Sequence, residues 1–407
     1  MQSILILVRQ PQLGLAELES LYGASSIKLI NNQAVGLSVD HQSINFKNIG
    51  GSIKLAKFLH ELPGSDWDNT VRKIAKLLPK YINDLPEGKI KFGLSAYGFS
   101  INSGVVNRSS LFLKKTIKTT GRSVRIIPNN ETSLGSAQVI HNQLTSPLGI
   151  ELLVINSKSR VIIAQTVQEQ DIKSYATRDH GRPKRDSKVG MLPPKLAQII
   201  INLAVGDANS SEKPCPLVLD PFCGTGVILQ EACLMGYRAY GADLEKRMID
   251  YTNANLLWLT AQSQFNSKSW GLLQSDNGQH CAKLEVADAT RHQWSHRPDF
   301  IACETYLGRP FSSQPEPKIL QEVMQDVNLI HKRFLQNVAR QTEPGFRLTI
   351  AVPAWHIGNE VKHLKILDNL EDLGYNRIEF VHVASHSLIY HREGQIVGRE
   401  LVVLVRK

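Results

Sequence analysis

The chain has 407 residues, with 47 Lys+Arg against 37 Asp+Glu and a net charge of +10. That length exceeds the roughly 250–300 residues at which one hydrophobic core stops growing, so more than one domain is expected. A hydrophobic fraction of 42% excludes a mostly disordered chain, and no apolar run approaches the ~18–20 residues that a bilayer crossing needs.

Met1–Gln10 carries Arg9 and has neither a basic head nor a small-residue cleavage site. It reads as a strand, and a cytoplasmic protein with no membrane partner is expected. The five cysteines, Cys215, Cys223, Cys233, Cys281 and Cys303, are odd in number, with no pair spaced C-x-x-C. This argues against a disulfide framework or structural zinc, and no metal is expected.

The charge is unevenly distributed. Residues 1–190 hold 25 basic and 14 acidic side chains, whereas the remainder is nearly neutral. Arg108, Lys114, Lys115, Lys118, Arg122 and Arg125 fall within 18 residues that contain no acid, and a second cluster runs Arg178, Arg182, Lys184, Arg185 and Lys188. Two such runs in one half point to a nucleic-acid backbone as partner.

In chain order, residues 1–60 show a small α+β pattern, closed by a turn-rich break at Glu61–Asp68. Helical spacing over Thr70–Ile82, a strand at Lys89–Tyr97, a basic helix at Ser109–Thr120 and a strand at Ser123–Ile127 follow. A short helix at Ser136–Leu144 precedes a hairpin of Ile150–Asn156 and Val161–Thr166. Residues 167–190 are polar and read as a linker. Pro193-Pro194 opens a helix over Lys195–Val205.

From Leu217 strands and helices alternate: strands at 217–220, 239–243, 283–288, 299–304, 346–352, 377–384 and 400–405, and helices at 226–236, 245–260, 316–340 and 359–372. That rhythm predicts a mostly parallel, doubly wound sheet. The last two strands have no helix between them, which places an antiparallel pair at one edge.

The sharpest feature is Asp220-Pro221-Phe222-Cys223-Gly224-Thr225-Gly226, a glycine turn between a buried strand and a helix. Gly224 and Gly226 permit close backbone approach to a ligand, and the helix start leaves N–H groups free. The spacing is neither G-x-G-x-x-G nor a P-loop, so a pyrophosphate cradle is not the first choice. Asp220 would instead attract a cation such as an ammonium or a sulfonium. Asp243, 17 residues after Gly226, ends the next strand, where a carboxylate can accept two ribose hydroxyls. Asp288 follows the third and can accept from an adenine amine.

At these residues the chain resembles the class I S-adenosylmethionine-dependent methyltransferases. The D-P-F-C-G-T-G string narrows the resemblance to amino-group nucleic-acid methylases. Arg178-Asp179, Arg182-Pro183 and the Met191–Ala204 stretch resemble the segment joining the two domains of THUMP-containing tRNA guanosine N2-methyltransferases. Gly121–Pro128 with Ser136–Val139 is similar to a THUMP-like core.

The resemblance implies an N-terminal α+β subdomain (1–60), a basic THUMP-like RNA-binding domain (61–166), a linker (167–190) and a Rossmann-like methyltransferase domain with a seven-stranded sheet (191–407). It implies S-adenosyl-L-methionine held by Asp220, Pro221, Cys223, Gly224, Gly226, Asp243 and Asp288. It further implies tRNA bound through Arg108, Lys114, Lys115, Lys118, Arg122, Arg125 and Arg182, and methylation of a guanine N2 amine.

One motif departs from the family, which usually carries D-P-P-Y or N-P-P-F after the fourth strand. Here the sequence reads Glu304-Thr305-Tyr306-Leu307-Gly308-Arg309. Glu304 replaces the acid, both prolines are gone, and Leu307 stands where the aromatic belongs, with Tyr306 one residue early. Glu304 is the candidate acceptor of the amine hydrogens and Tyr306 the candidate base platform. Two other readings stand beside this one: a DNA amino-methylase, and a catalytically impaired RNA-binding relative. His382, His386 and His391 are weaker candidates for the substrate mouth, and Cys223 or Cys303 for a covalent nucleophile.

Overall fold

The computed structural model describes residues 1–186, 191–207, 215–262, 265 and 282–407. Lys188 of the second basic cluster and Cys281 lie outside them. Cys215, Cys223 and Cys303 are free thiols, whereas Cys233 is disulfide-bonded, which the cysteine spacing did not suggest.

The chain opens with β1 (Ser3–Leu7), α1 (Pro11–Tyr22), β2 (Ile27–Leu29), β3 (Ala34–Leu37) and β4 (Ser52–Pro63). Next come α2 (Trp67–Asn83), β5 (Ile90–Tyr97), α3 (Ser103–Lys118), β6 (Val124–Ile126) and α4 (Ser136–His141). The first half ends with β7 (Gly149–Asn156) and β8 (Arg160–Glu169). Its strands form one sheet, in the order β2-β3-β1-β4-β8-β7-β5-β6. The pairings are antiparallel except β5 with β6 and β5 with β7.

The expected boundary at 60/61 therefore falls inside β4, which pairs with β8 out to Pro63. Pro63-Gly64, not Glu61, is the real punctuation, because φ of Gly64 is +94°. α2 and α3 cover one face with Val71, Ile74, Leu78, Val106, Leu113 and Ile117 against Phe92, Leu94 and Leu152. The spacing of these residues is the helical period read from the sequence.

Inside this unit lies a buried polar knot. Lys54 of β4 donates to the Glu151 carboxylate and, at 2.8 Å, to the Leu134 carbonyl. Glu151 also accepts from Ser95 and Thr166, both at 2.6 Å, and Glu169 lies 3.7 Å from the ammonium. Burial alone would lower the Lys54 ammonium, but the two glutamates hold it above its ordinary value. Burial pushes Glu169 up to about 7, against the pull of Lys54.

The second half continues with α5 (Ile172–His180), α6 (Pro194–Val205), β9 (Leu217–Asp220), α7 (Val227–Leu234), β10 (Arg238–Asp243), α8 (Lys246–Ala261) and β11 (Ala282–Val286). It ends with β12 (Phe300–Glu304), α9 (Pro317–Ala339), β13 (Arg347–Ile357), β14 (Glu360–Lys362), β15 (Tyr375–Arg377), β16 (Ile389–Tyr390) and β17 (Val397–Arg406).

Among the described residues these strands form a nine-stranded sheet ordered β11-β10-β9-β12-β13-β17-β15, with β14 on β13 and β16 on β17. The first five strands in that order are parallel. β17 runs antiparallel to both β13 and β15, so the sheet is mixed, with its antiparallel part at one edge. Strand order reverses between β9 and β12, and the crevice of an open α/β sheet belongs at such a reversal.

Three expectations are corrected. Residues 167–190 are not a plain linker: β8 reaches Glu169, and α5 is a helix whose Arg178 is buried. The helix expected over 359–372 is replaced by β14 and two short turns, because the Ile366 N–H donates to the Asn328 side chain and not to its own turn. The strand expected over 377–384 stops at Arg377, because the Val381 and His382 N–H groups are taken by the Glu19 carboxylate.

Glu19 lies on α1, and α1 belongs to the C-terminal unit. Compact unit two comprises Gln12–Ala24, Asn48–Gly50 and Lys173–Lys407. Glu17 of α1 accepts from the Gly50 N–H and the Asn202 amide at 2.9 and 2.7 Å.

Removing one partner of a buried, hydrogen-bonded ion pair leaves the other charge uncompensated. Lys54→Ala is expected to lower the unfolding free energy by about 3–5 kcal/mol, read as a shift of the urea transition by circular dichroism.

Candidate active site

β9 ends in Asp220 with its side chain buried. The chain turns through Gly224 (φ +52°) and Gly226 (φ +84°) into α7. At Gly226 an added Cβ would meet Thr252 Cγ2 at 2.7 Å, so close packing on α8 demands glycine there as much as the backbone angle does. At Gly224 the nearest atom would be 4.0 Å away, so the turn opens onto free space.

The turn is fastened on both sides. Its Gly224 N–H donates to Asp243 Oδ2 at 2.9 Å, and its Gly224 carbonyl accepts from Thr252 Oγ1 at 2.8 Å. Asp243 Oδ1 also accepts from the Glu245 N–H. Thr252 had no signal of its own in the sequence beyond its place on the helix expected over 245–260.

A cavity of about 890 Å³ opens over these ends. Its lining includes Asp220–Thr225, Asp243–Glu245, Ala287–Thr290 and Glu304–Pro310, together with Asp326, Leu329, Ile330 and Arg333 of α9. The volume suits a nucleoside-sized ligand. All the sequence-predicted cofactor residues except Gly226 line it, and Gly226 forms the helix start behind it. The α9 residues were not anticipated.

The electrostatics favour a cation. Burial pushes the Asp220 carboxyl well up, and Asp243 and Glu304 add to the shift against one hydrogen bond from the Phe222 N–H. Desolvation likewise raises Asp243. For Asp288 burial acts upward, but the Thr290 N–H and hydroxyl and the Arg291 guanidinium outweigh it and hold the carboxyl low. Burial, with nearby carboxylates, pushes both the Cys223 and Cys303 thiols well up, so neither is set up as a thiolate nucleophile.

The loop after β12 is anchored without its prolines. The Thr305 N–H donates to the Ala351 carbonyl at 3.0 Å, and Thr305 Oγ1 lies 2.5 Å from His331 Nε2 and 2.9 Å from that same carbonyl. His331 is buried and gives its Nδ1 proton to the Val327 carbonyl. Gly308 (φ +84°) passes over α9, where a Cβ would come within 2.9 Å of Val323. Tyr306 is 46% exposed at the cavity, open enough to meet a flat ring.

Glu304 is paired with Arg399 of β17, whose Nε donates to Glu304 Oε1. Burial raises the Glu304 carboxyl, and the Arg399 cation opposes the shift. Nothing in the sequence marked Arg399 beyond its place at the head of an apolar strand.

The basic residues separate into two groups. Arg108, Lys115, Lys118 and Arg125 are exposed and Lys114 is half-buried, beside exposed Leu111 and Phe112 on α3. Arg122 spends its guanidinium on the carbonyls of Leu85, Pro86 and Gly88. Arg178 forms a two-pronged pair with Glu231 at 2.6 and 3.2 Å, inside the domain. Arg182 is 3% exposed, so its side chain is not offered to a surface ligand. His382 reaches the Ala24 carbonyl, away from the cavity lining.

The strand order, glycine turn and crevice define a class I methyltransferase-like fold. Residues 182–303 match the RMKL-like methyltransferase domain. The tRNA (guanine(10)-N2)-dimethyltransferase of Pyrococcus abyssi is 38% identical over 199 residues, covering 48% of this chain and 46% of that protein. Its counterpart in Methanothermobacter thermautotrophicus is 49% identical over 67 residues, covering 16% and 18%. That of Methanocaldococcus jannaschii is 34% identical over 113 residues, covering 28% and 30%. The chain thus spans less than half the length of each of these relatives. The solved structure of TrmN from Thermus thermophilus superposes with a TM-score of 0.51 at 17% identity, covering 100% of both chains. Over these stretches the chain is similar to tRNA (guanine(10)-N2)-dimethyltransferases.

Protonation of His331 is a test of the loop's anchoring. Burial lowers its pKa from 6.5 to about 4. As pH falls, the unfolded chain therefore binds a proton before the fold does, and stability falls between pH 6.5 and 4, by up to ~3 kcal/mol. Urea titrations across that range should show the loss, and His331→Gln should flatten it.

Proposed function

We propose that the C-terminal unit binds S-adenosyl-L-methionine and transfers its methyl group to the N2 amine of a guanosine in tRNA, with the basic N-terminal unit, read as THUMP-like, gripping the RNA. The observation that carries this is one crevice ringed by Asp220, Asp243, Asp288 and Glu304 at the ends of neighbouring strands, beside an open glycine turn.

The residues present fit the cofactor. Asp220 supplies negative charge where a sulfonium would lie, the open side of Gly224 admits close approach, Asp243 keeps lone pairs for ribose hydroxyls, and Asp288 stands ready for the adenine amine. When bound, the cofactor supplies a methyl group on a positively charged sulfur. The chain's own task is to hold the amine in line and to accept its hydrogens as positive charge develops on nitrogen. Glu304 accepts, and Tyr306 offers a ring face to the base. The exposed α3 face, with Arg108, Lys115 and Lys118 beside Leu111 and Phe112, pairs phosphate neutralisation with apolar contact.

The Glu304–Arg399 pair and the lost prolines favour one second reading, an RNA-binding relative that no longer transfers methyl. Two measurements separate the readings. Calorimetry with S-adenosylhomocysteine should give micromolar binding, and Asp243→Ala should weaken it at least ~10-fold, or about 1.4 kcal/mol, by releasing Gly224. Tritium transfer from labelled cofactor to tRNA should fall about 100-fold in Glu304→Ala. Equal, background-level labelling by both proteins while tRNA still binds would favour the second reading. Competition by duplex DNA would expose a DNA methylase.

A further inference from the structure

The loop after β12 has lost its stiffening prolines, and its acid is one methylene longer than the usual aspartate. A glutamate in that place has an additional rotor, and its oxygen would wander by ~1 Å or more unless something held it, enough to cost a methyl transfer about 100-fold. The structure supplies the holder.

Arg399 lies on β17 opposite Pro353 of β13 and beside Tyr390 of β16. It is 5% exposed, and its Nε donates to Glu304 Oε1. Among the described residues Glu304 Oε2 has no hydrogen-bond partner, and Glu304 lines the cavity. The next residue, Glu400, faces the other way and pairs with Arg377 at 2.9 Å and with His363 at 2.5 Å. The strand carrying Arg399 is thus locked from its opposite face. A buried ion pair is seldom more stabilising than an apolar pair of equal volume, so stability alone does not explain one at the wall of the cavity.

We propose that Arg399 is a positioning residue, which pins one oxygen of Glu304 so that the other is presented to the amine receiving the methyl group. This rests on the methyl-transfer reading above. Arg399 acts through Glu304 and touches neither reacting atom. The titratable and charged groups facing Glu304 are Asp220 from β9 and Arg399 from β17, with Cys303 preceding it on β12; its β13 neighbour is Ala351.

The test compares wild type, R399M, R399K, E304Q and the R399M/E304Q double variant. It uses the full chain, tritiated S-adenosylmethionine and an unmodified tRNA transcript. R399M should lose about 100-fold in kcat, with KM for tRNA and S-adenosylhomocysteine affinity unchanged. R399K, which keeps the charge but not the planar fork, should recover part of the rate. The acid limb of the kcat profile should move to higher pH in R399M, because Glu304 has lost its cation. The double variant should be no slower than the slower single variant.

Wild-type kcat in folded R399M, or fully multiplicative losses in the double variant, would overturn the proposal. If R399M does not fold, R399K decides: a lower kcat at unchanged KM supports the proposal, and wild-type kcat overturns it. A wild type that binds S-adenosylhomocysteine and tRNA yet transfers nothing overturns the methyl-transfer reading and this proposal together. A working wild type with an indifferent R399M overturns this proposal alone.

Discussion

The hydrogen bond from the Gly224 N–H to Asp243 joins the turn after β9 to the end of β10. Much of the crevice depends on it. Without that tie, the glycines that let a ligand approach would also let the turn move, since glycine loses more freedom on ordering than any other residue. Asp243 holds the turn from one side and Thr252 from the other, while the open side of Gly224 stays clear. Rigidity and access are met in one short segment because the Asp243 carboxylate holds the turn by its backbone and leaves the open side of Gly224 clear.

Around that tie the charges form a graded series. Asp220 lies deepest and is most strongly penalised by desolvation, Asp243 is half-buried, and Asp288 is stabilised by its own turn and by Arg291. Glu304 is paired with a buried arginine, Arg399, whereas the Arg291 partner of Asp288 is exposed. The crevice is therefore least compensated around Asp220 and Asp243 and most compensated at Asp288 and Glu304. Such a contrast in carboxylate environments separates charge stabilisation from hydrogen-bond acceptance.

Much of this was legible in the residues. The D-P-F-C-G-T-G string marked the turn, and the alternation after Leu217 marked β9 to β13, because both are local signals. What escaped were interactions between distant residues. Arg178 and Arg122 look like solvated cations in a basic run, and only their partners Glu231 and the Leu85–Gly88 carbonyls show them to be structural. Arg399 carried no mark, since an arginine opening an apolar strand reads as an edge residue. Residues 378–384 read as a strand, yet the Val381 and His382 N–H groups are claimed by Glu19, the first from 362 positions away. Lys54 and Glu151, each inside an apolar run, were a readable hint of a buried pair that periodicity alone does not reveal.

That last kind of contact bears on how the molecule is made. α1 lies far upstream in the chain of the groups that its carboxylates cap, Asn202 and the Val381–His382 backbone. Completion of the C-terminal unit is thus coupled to a segment far upstream of it, and a fragment cut at the apparent junction would emerge lacking one of its own helices.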